Sequence, residues 1–305
     1  MIDCHCDALY KMWLHQIDFE QDDRLDVNYQ EWMQSPVQVQ CFAIYIPPSV
    51  PAEATFTVAM QMIDIFFERI IAPYTNIIFI QKKEDIAQLA VNEKGAMLTL
   101  EGLDCIGAEL YKLRTLLRLG VKMVGVSWNH ANLVIDGIGE GRGAGLTNFG
   151  YEVIDLLNQY KIWTDLAHVS RRGFDQVIEL AAFPIVSHAN CYHICPHPRN
   201  LTDQQIQKLI KKNGLMGLTF VKEFVTNQPT ATMQDLLLHM AHLLRLGGEQ
   251  AVVFGSDFDG TDQYVTNLTS IKDYAELQRF LQGYFSPKQL TKMTEQNFLD
   301  LFPCS

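Results

Sequence analysis

The stretch IWTDLAHVSRRGFDQVIELAAFPIVSH, residues 162–188, contains one complete unit of the fold. Ile162–Ala167 is a short and nearly continuous apolar run, the pattern of a strand buried on both faces. His168 follows it. Ser170 then stands before Arg171-Arg172-Gly173-Phe174 as a helix cap, and apolar residues recur every three to four positions as far as Ala181. A second apolar run, Phe183–His188, ends on another histidine. Strand, helix and strand in that order predict two parallel strands joined by a right-handed crossover. Each strand ends in a residue type that binds metals.

The same alternation extends in both directions. Further apolar runs occupy Met1–Asp7, Val37–Ile46, Ala96–Glu101, Val121–Ser127, Leu215–Phe220 and Ala251–Asp257, and Ile77–Gln81 reads as a ninth strand or an extra edge piece. Helical spacing covers Ala54–Ala72, Ala108–Leu119, Phe149–Tyr160, Thr202–Lys212 and Met233–Leu246. Thr202 with Asp203 forms a cap, and Leu246-Gly247-Gly248 reads as a helix stop. Eight strand–helix units closing on themselves give an α/β fold, a (β/α)₈ TIM barrel, as one domain over residues 1–305. An open doubly wound sheet is the competing arrangement. No Gly-x-Gly-x-x-Gly follows an early strand, which weakens any dinucleotide-binding reading.

Composition narrows the function. Hydrophobic residues make up 48% of the 305 and charged residues 19%, enough apolar material for a large core. The balance of 24 Lys and Arg against 35 Asp and Glu leaves a net charge of −11. Such a chain has no general attraction for nucleic acid or anionic lipid, and small substrates remain open. Cys4, Cys6, Cys41, Cys105, Cys191, Cys195 and Cys304 include no Cys-x-x-Cys pair and read as reduced thiols. No signal sequence opens the chain, no run of about 18 apolar residues crosses it, and Phe302–Ser305 offers no lipid-anchor tail. The expected location is the cytoplasm, with no membrane association.

In a barrel, chemistry sits at the C-terminal ends of the strands. The apolar runs end on His5-Cys6-Asp7, Glu101-Gly102, Ser127-Trp128-Asn129-His130, Asp165-Leu166-Ala167-His168, Ser187-His188 and Asp257-Phe258-Asp259-Gly260. His5 and Asp7 are two residues apart on a strand, so both side chains enter the mouth together. The bland alternative is a capped strand end with a solvated Asp. Glu101 is costly to bury unless it is paired or ligates a metal, and its alternative is to face water. His168 and His188 end consecutive strands about 4.8 Å apart, so their imidazoles can share one metal, where the alternative is two satisfied core histidines. Asp257 adjoins the last strand and can move a proton from water to a leaving group. Asp259-Gly260 reads as turn chemistry.

Taken together, these residues resemble the membrane (renal) dipeptidase family of binuclear zinc dipeptidases. The matching pieces are Asp3-Cys4-His5-Cys6-Asp7, Leu100-Glu101-Gly102, Thr164-Asp165-Leu166-Ala167-His168-Val169-Ser170, Val186-Ser187-His188, Arg199-Asn200 and Gly255-Ser256-Asp257-Phe258-Asp259-Gly260. The resemblance implies two Zn²⁺ per chain: His5 and Asp7 on one, His168 and His188 on the other, and Glu101 bridging. It implies hydrolysis of small dipeptides by a metal-bridging hydroxide, acceptance of a C-terminal D-residue, and a homodimer. Arg199 matches an arginine that grips the substrate's C-terminal carboxylate. The chain departs from relatives of the mammalian enzyme after the fourth strand. Trp128 stands where they have a substrate-contacting His, and His130 comes two residues later, so both are substrate-contact candidates. Without an export signal or anchor, the chain looks like a bacterial-type cytosolic member.

Two other readings remain. A binuclear barrel hydrolase acting on a cyclic amide, lactone or phosphoester would have a similar outline, although many of those use a bridging Lys where Glu101 stands. A non-catalytic metal-binding barrel is the other. The Gly-rich stretch Ile135–Gly150 is expected to line or cover the mouth.

Overall fold

The computed structural model describes residues 1–303; Cys304 lies outside the described residues. Nine parallel strands form the sheet: β1 Ile2–Cys6, β2 Val39–Tyr45, β3 Ile77–Phe79, β4 Lys94–Glu101, β5 Met123–Gly125, β6 Trp163–Asp165, β7 Pro184–Val186, β8 Leu215–Leu218 and β9 Val252–Phe254. Their neighbour order runs β2-β1-β9-β8-β7-β6-β5-β4, and β2 pairs with β4 from Val39↔Gly95 to Tyr45↔Glu101. That last ladder closes eight strands into a barrel and rules out the open sheet. β3 pairs with β4 at Lys94, Gly95 and Ala96, and β5 takes over the same edge from Thr99. β3 is therefore the extra piece that Ile77–Gln81 suggested.

Helices return the chain between strands much as the apolar spacing predicts. Asn148–Gln159, Arg171–Leu180, Asp203–Lys211 and Met233–Arg245 lie within a residue or two of the expected bounds. Their starts have a local cause. The Thr147, Ser170, Thr202 and Thr232 side chains each accept a backbone N–H from the first turn, satisfying donors that a helix start otherwise leaves unpaired. The 54–72 pattern becomes an α-helix, Thr55–Ile65, continued by a π turn, Phe66–Ile71.

Two apolar layers result. Inside the barrel pack Ile2, Cys4, Val39, Cys41, Met97 and their counterparts on the other strands; Phe298 and Phe302 close the floor against Trp163, with ring centroids 4.6 and 4.8 Å away. The larger layer lies between strands and helices. β1 shows how the sheet aims its end residues. Ile2 and Cys4 belong to the inner layer, so simple alternation would turn Cys6 inward and His5 outward. The register instead moves from Asp3↔Gln40 to Cys6↔Phe42, with three steps on β1 against two on β2. This bulge shifts the alternation, placing Cys6 in the outer layer and His5 in the mouth. The six described cysteines are buried and unpaired. Among the described residues no helix is long and apolar enough to cross a membrane.

Close approach explains Gly217 and Gly255, where an added Cβ would meet the same carbonyl oxygen. A Cβ on Gly255, just after β9, would collide with the carbonyl oxygen of Ser187, just after β7. Gly255→Ala should therefore destabilise the chain by about 1–3 kcal/mol through overpacking. Gly141→Ala, where an added Cβ meets nothing within 4 Å, should change stability by less than about 0.5 kcal/mol. Thermal melts of the two variants check this, and equal melting temperatures would refute the close-packing account.

Candidate active site

The strand ends bring His5, Asp7, Glu101, His168, His188 and Asp257 to one buried place in the barrel mouth. His5 Nε2 lies 3.5 Å from Asp7 Oδ2, 3.8 Å from Glu101 Oε1 and 3.7 Å from Asp257 Oδ1. Glu101 Oε1 is also 2.8 Å from His168 Nε2 and 3.5 Å from His188 Nε2. The His5 and His188 rings stack at 3.9 Å. Donor atoms of His5, Glu101 and His188 lie within 4.8 Å of one another, as do those of His5, Asp7 and Asp257. The geometry thus sets Asp257 beside the first pair of candidate ligands.

Residues that sequence reasoning left without a role orient the rings. The Ser187 hydroxyl donates to Asp165 Oδ2 at 2.5 Å, so towards His188 Nδ1, 2.8 Å away, it accepts. His188 therefore has its proton on Nδ1 and a lone pair on Nε2. Asn129 Oδ1, 2.8 Å from His168 Nδ1, fixes the same tautomer there. Burial, with Arg199 and His5 adding, holds both imidazoles well below their ordinary range, so both are neutral. Their Nε2 atoms face each other across 2.9 Å. Two lone pairs converge on a carboxylate oxygen.

The other half of the cluster is short of positive charge. Burial alone would lower His5, but Glu101, Asp7 and Asp257 outweigh it and raise His5 to about 10. Burial and Asp7 push Glu101 well above the carboxylate range. Burial pushes Asp257 up to about 7, with His5 and Arg199 opposing and Asp7 adding. His5 Nε2 and Asp7 Oδ1 are buried without a hydrogen-bond partner, which is rare and calls for an explanation. Imidazole nitrogens and carboxylate oxygens in this arrangement fit divalent cations, zinc among them.

The remaining candidates surround this cluster. Arg199 is buried; its Nη2 donates to the His188 carbonyl at 3.3 Å, its Nε has no partner, and its guanidinium lies over the Phe224 ring. Trp128 stands 6.0 Å from the His168 ring, and His130 lies beyond Trp128 at 5.6 Å. Asp259 faces away from the cluster: its carboxylate accepts the Asp26 and Val27 backbone N–H groups and pairs with Lys11. The Gly-rich loop packs on the mouth, where Ile138 N donates to the His168 carbonyl and Gly139 N to that of Asn129. A separate group, His193, Asp203 and His242, also comes close together. There Arg245 donates to His242 Nδ1, so Nε2 bears the proton given to Asp203, and His242 itself has no lone pair left for a cation.

Comparison with known proteins bears on the fold and the family. An uncharacterized dipeptidase of Schizosaccharomyces pombe is 28% identical over 304 residues, covering 91% of this chain and 73% of that one. A metallo peptidase from Rhodobacter sphaeroides, solved with a phosphinate mimic of the dipeptide L-Ala-D-Ala, superposes with a TM-score of 0.93 at 23% identity over 99% of this chain and 97% of its own. The dipeptidase AC, a metallo peptidase of family M19, gives a TM-score of 0.92 at 24% identity with the same coverage. Both likenesses confirm the fold. The model of the membrane dipeptidase family matches residues 1–303, and with that match over the described barrel the chain belongs to the membrane dipeptidase family, peptidase family M19, as a hydrolase of the dipeptidase class.

Proposed function

We propose that the chain is a binuclear zinc dipeptidase, with His5 and Asp7 on one ion, His168 and His188 on the other, and Glu101 between them. The observation that supports this best is the pair of neutral imidazole lone pairs converging on Glu101 beside the unpartnered His5 Nε2 and Asp7 Oδ1. Bound there, the ions would supply Lewis acidity and water that ionises near neutral pH.

The chain's own groups do the rest. Arg199 grips the substrate's C-terminal carboxylate: its unpartnered Nε supplies a donor, and the Phe224 ring and the His188 carbonyl steady the fork. A grip on the carboxylate rather than on a side chain tolerates a D-residue at that position, and the L-Ala-D-Ala mimic bound by the Rhodobacter sphaeroides enzyme supports this. Asp257 takes a proton from the attacking water and passes it to the leaving nitrogen as the C–N bond breaks. Its Oδ1 lies 3.7 Å from His5 Nε2, at the edge of the proposed metal site, within reach of a water held there. Trp128 walls the substrate's other side next to His168, with His130 behind it.

The purified protein should contain two zinc ions per chain and cleave L,L- and L,D-dipeptides, and a chelator should remove both metal and turnover. Bound metal with no dipeptide cleaved would redirect the assignment to cyclic amides. In Asp257→Asn, metal content should persist while kcat falls about 10²- to 10⁴-fold; near-normal turnover would remove Asp257 from the chemistry. Arg199→Ala should lower kcat/KM on a free dipeptide about 100-fold and on its C-terminal amide far less, whereas equal losses would exclude the carboxylate role.

A further inference from the structure

The loops after β2, β4 and β5 enclose a cavity of about 790 Å³. Pro47, Pro48 and Pro51 from the first loop, Leu103 from the second and Leu133 from the third give it an apolar wall. Trp128 closes its inner end, 6.0 Å from the His168 ring and 5.2 Å from Tyr45, the residue paired with Glu101 across β2 and β4. Trp128 is thus shared: one side lines the cavity and the other stands against a proposed ligand of the cluster. Arg199 follows β7, three strands round the barrel from β4, so the two features lie on different sides of the same mouth.

We propose that this cavity receives the side chain of the substrate's N-terminal residue and selects large apolar side chains there, aromatic ones above all. The assignment rests on the dipeptidase reading. With the C-terminal carboxylate at Arg199 and the scissile bond at the cluster, the first residue falls on the cavity side. The cavity is of the size that holds a small molecule, and a methyl group would leave most of it empty. Proline fixes the backbone of the first loop, so less ordering accompanies binding. Leu133, 57% exposed at the lip, is an apolar surface waiting to be covered. Asp104 also lines the cavity, a single carboxylate beside Asn132 and His130. Apolar side chains far outnumber this one carboxylate in the wall, which favours an apolar guest over a cationic one.

The test is kcat/KM on X-Ala dipeptides, with X as Gly, Ala, Leu, Phe or Lys, for the zinc-loaded protein and for Ala52→Trp and Leu133→Asp. Both positions line the cavity and are exposed, so the barrel itself is untouched. Phe-Ala should exceed Ala-Ala by about 10- to 100-fold, chiefly through KM. Each substitution should reduce that ratio at least several-fold, because one fills the cavity and the other places a charge at its lip. Equal rates across the series, a preference for Lys-Ala, or an unchanged ratio in both variants would overturn the assignment while leaving the dipeptidase reading in place. Cleavage of none of the five would sink both.

Discussion

Two neutral imidazoles that aim their lone pairs at each other across 2.9 Å, with Glu101 against both and Asp7 and Asp257 next to the adjoining His5, form an arrangement that the chain must hold against electrostatics. A metal-ready site of this kind persists only if its surroundings fix every ring and carboxylate before any ion arrives. The barrel applies one device twice. Asp165 on β6 accepts both the backbone N–H and the hydroxyl of Ser187, and Asp3 on β1 accepts both from Ser256. The residue after each serine belongs to the cluster: His188 in one case, Asp257 in the other. Each clasp spans two neighbouring strands, so the barrel's own closure sets where the functional side chain starts. His168 and Asp257 also adopt left-handed backbone, with φ of 67° and 65°. That conformation costs on the order of 1–3 kcal/mol at a non-glycine residue and lasts only where the neighbours over-determine it.

The architecture was legible because every barrel strand is buried on both faces and therefore nearly unbroken in apolar residues. The runs overestimate the ladders, as Val121–Ser127 against Met123–Gly125 shows, because chain leaving a barrel strand stays buried for a few residues after pairing ends. β4 errs the other way: it begins at Lys94, which no apolar pattern would include. The Lys94 ammonium donates to the Ser35 and Val37 carbonyls, so a lysine can open a buried strand. The two residues so gained provide the edge on which β3 pairs, and this is why Ile77–Gln81 resisted assignment from its sequence alone. The short helices near the C-terminus have too few turns for a helical period to stand out, although Phe298 plugs the barrel floor.

The proposed ligands were legible for a different reason. Metal-binding residue types recur at equivalent strand ends, and an α/β barrel makes those ends converge. Their supports lie inside the same motifs but give no signal of their own. Asn129, Ser187, Asp165, Asp3 and Ser256 matter through the direction of hydrogen bonds, which residue type does not encode. The repeated pattern of a serine directly before a site residue, Ser187-His188 and Ser256-Asp257, was the available hint. The β1 bulge was hidden as well. Cys4, Cys6 and His5 are consistent with either face until the register against β2 is known.

The separation between Arg199 and the cluster follows from chain connectivity. Eleven positions beyond His188 the chain returns, and Arg199 Nη2 bonds the carbonyl of His188 itself. Asn200, next to Arg199, fastens that return. Its side-chain oxygen accepts from Asn190 N, while its amide donates to the Cys195 and Phe224 carbonyls. Three bonds from one buried amide hold the arginine one hydrogen bond away from a proposed ligand. A substrate carboxylate placed there leaves little more than one residue of chain before the scissile carbonyl reaches the cluster. On the proposed reading, selection for a single residue on the C-terminal side therefore rests on Asn200 as much as on Arg199, and the Arg199-Asn200 pair acts as one measuring element.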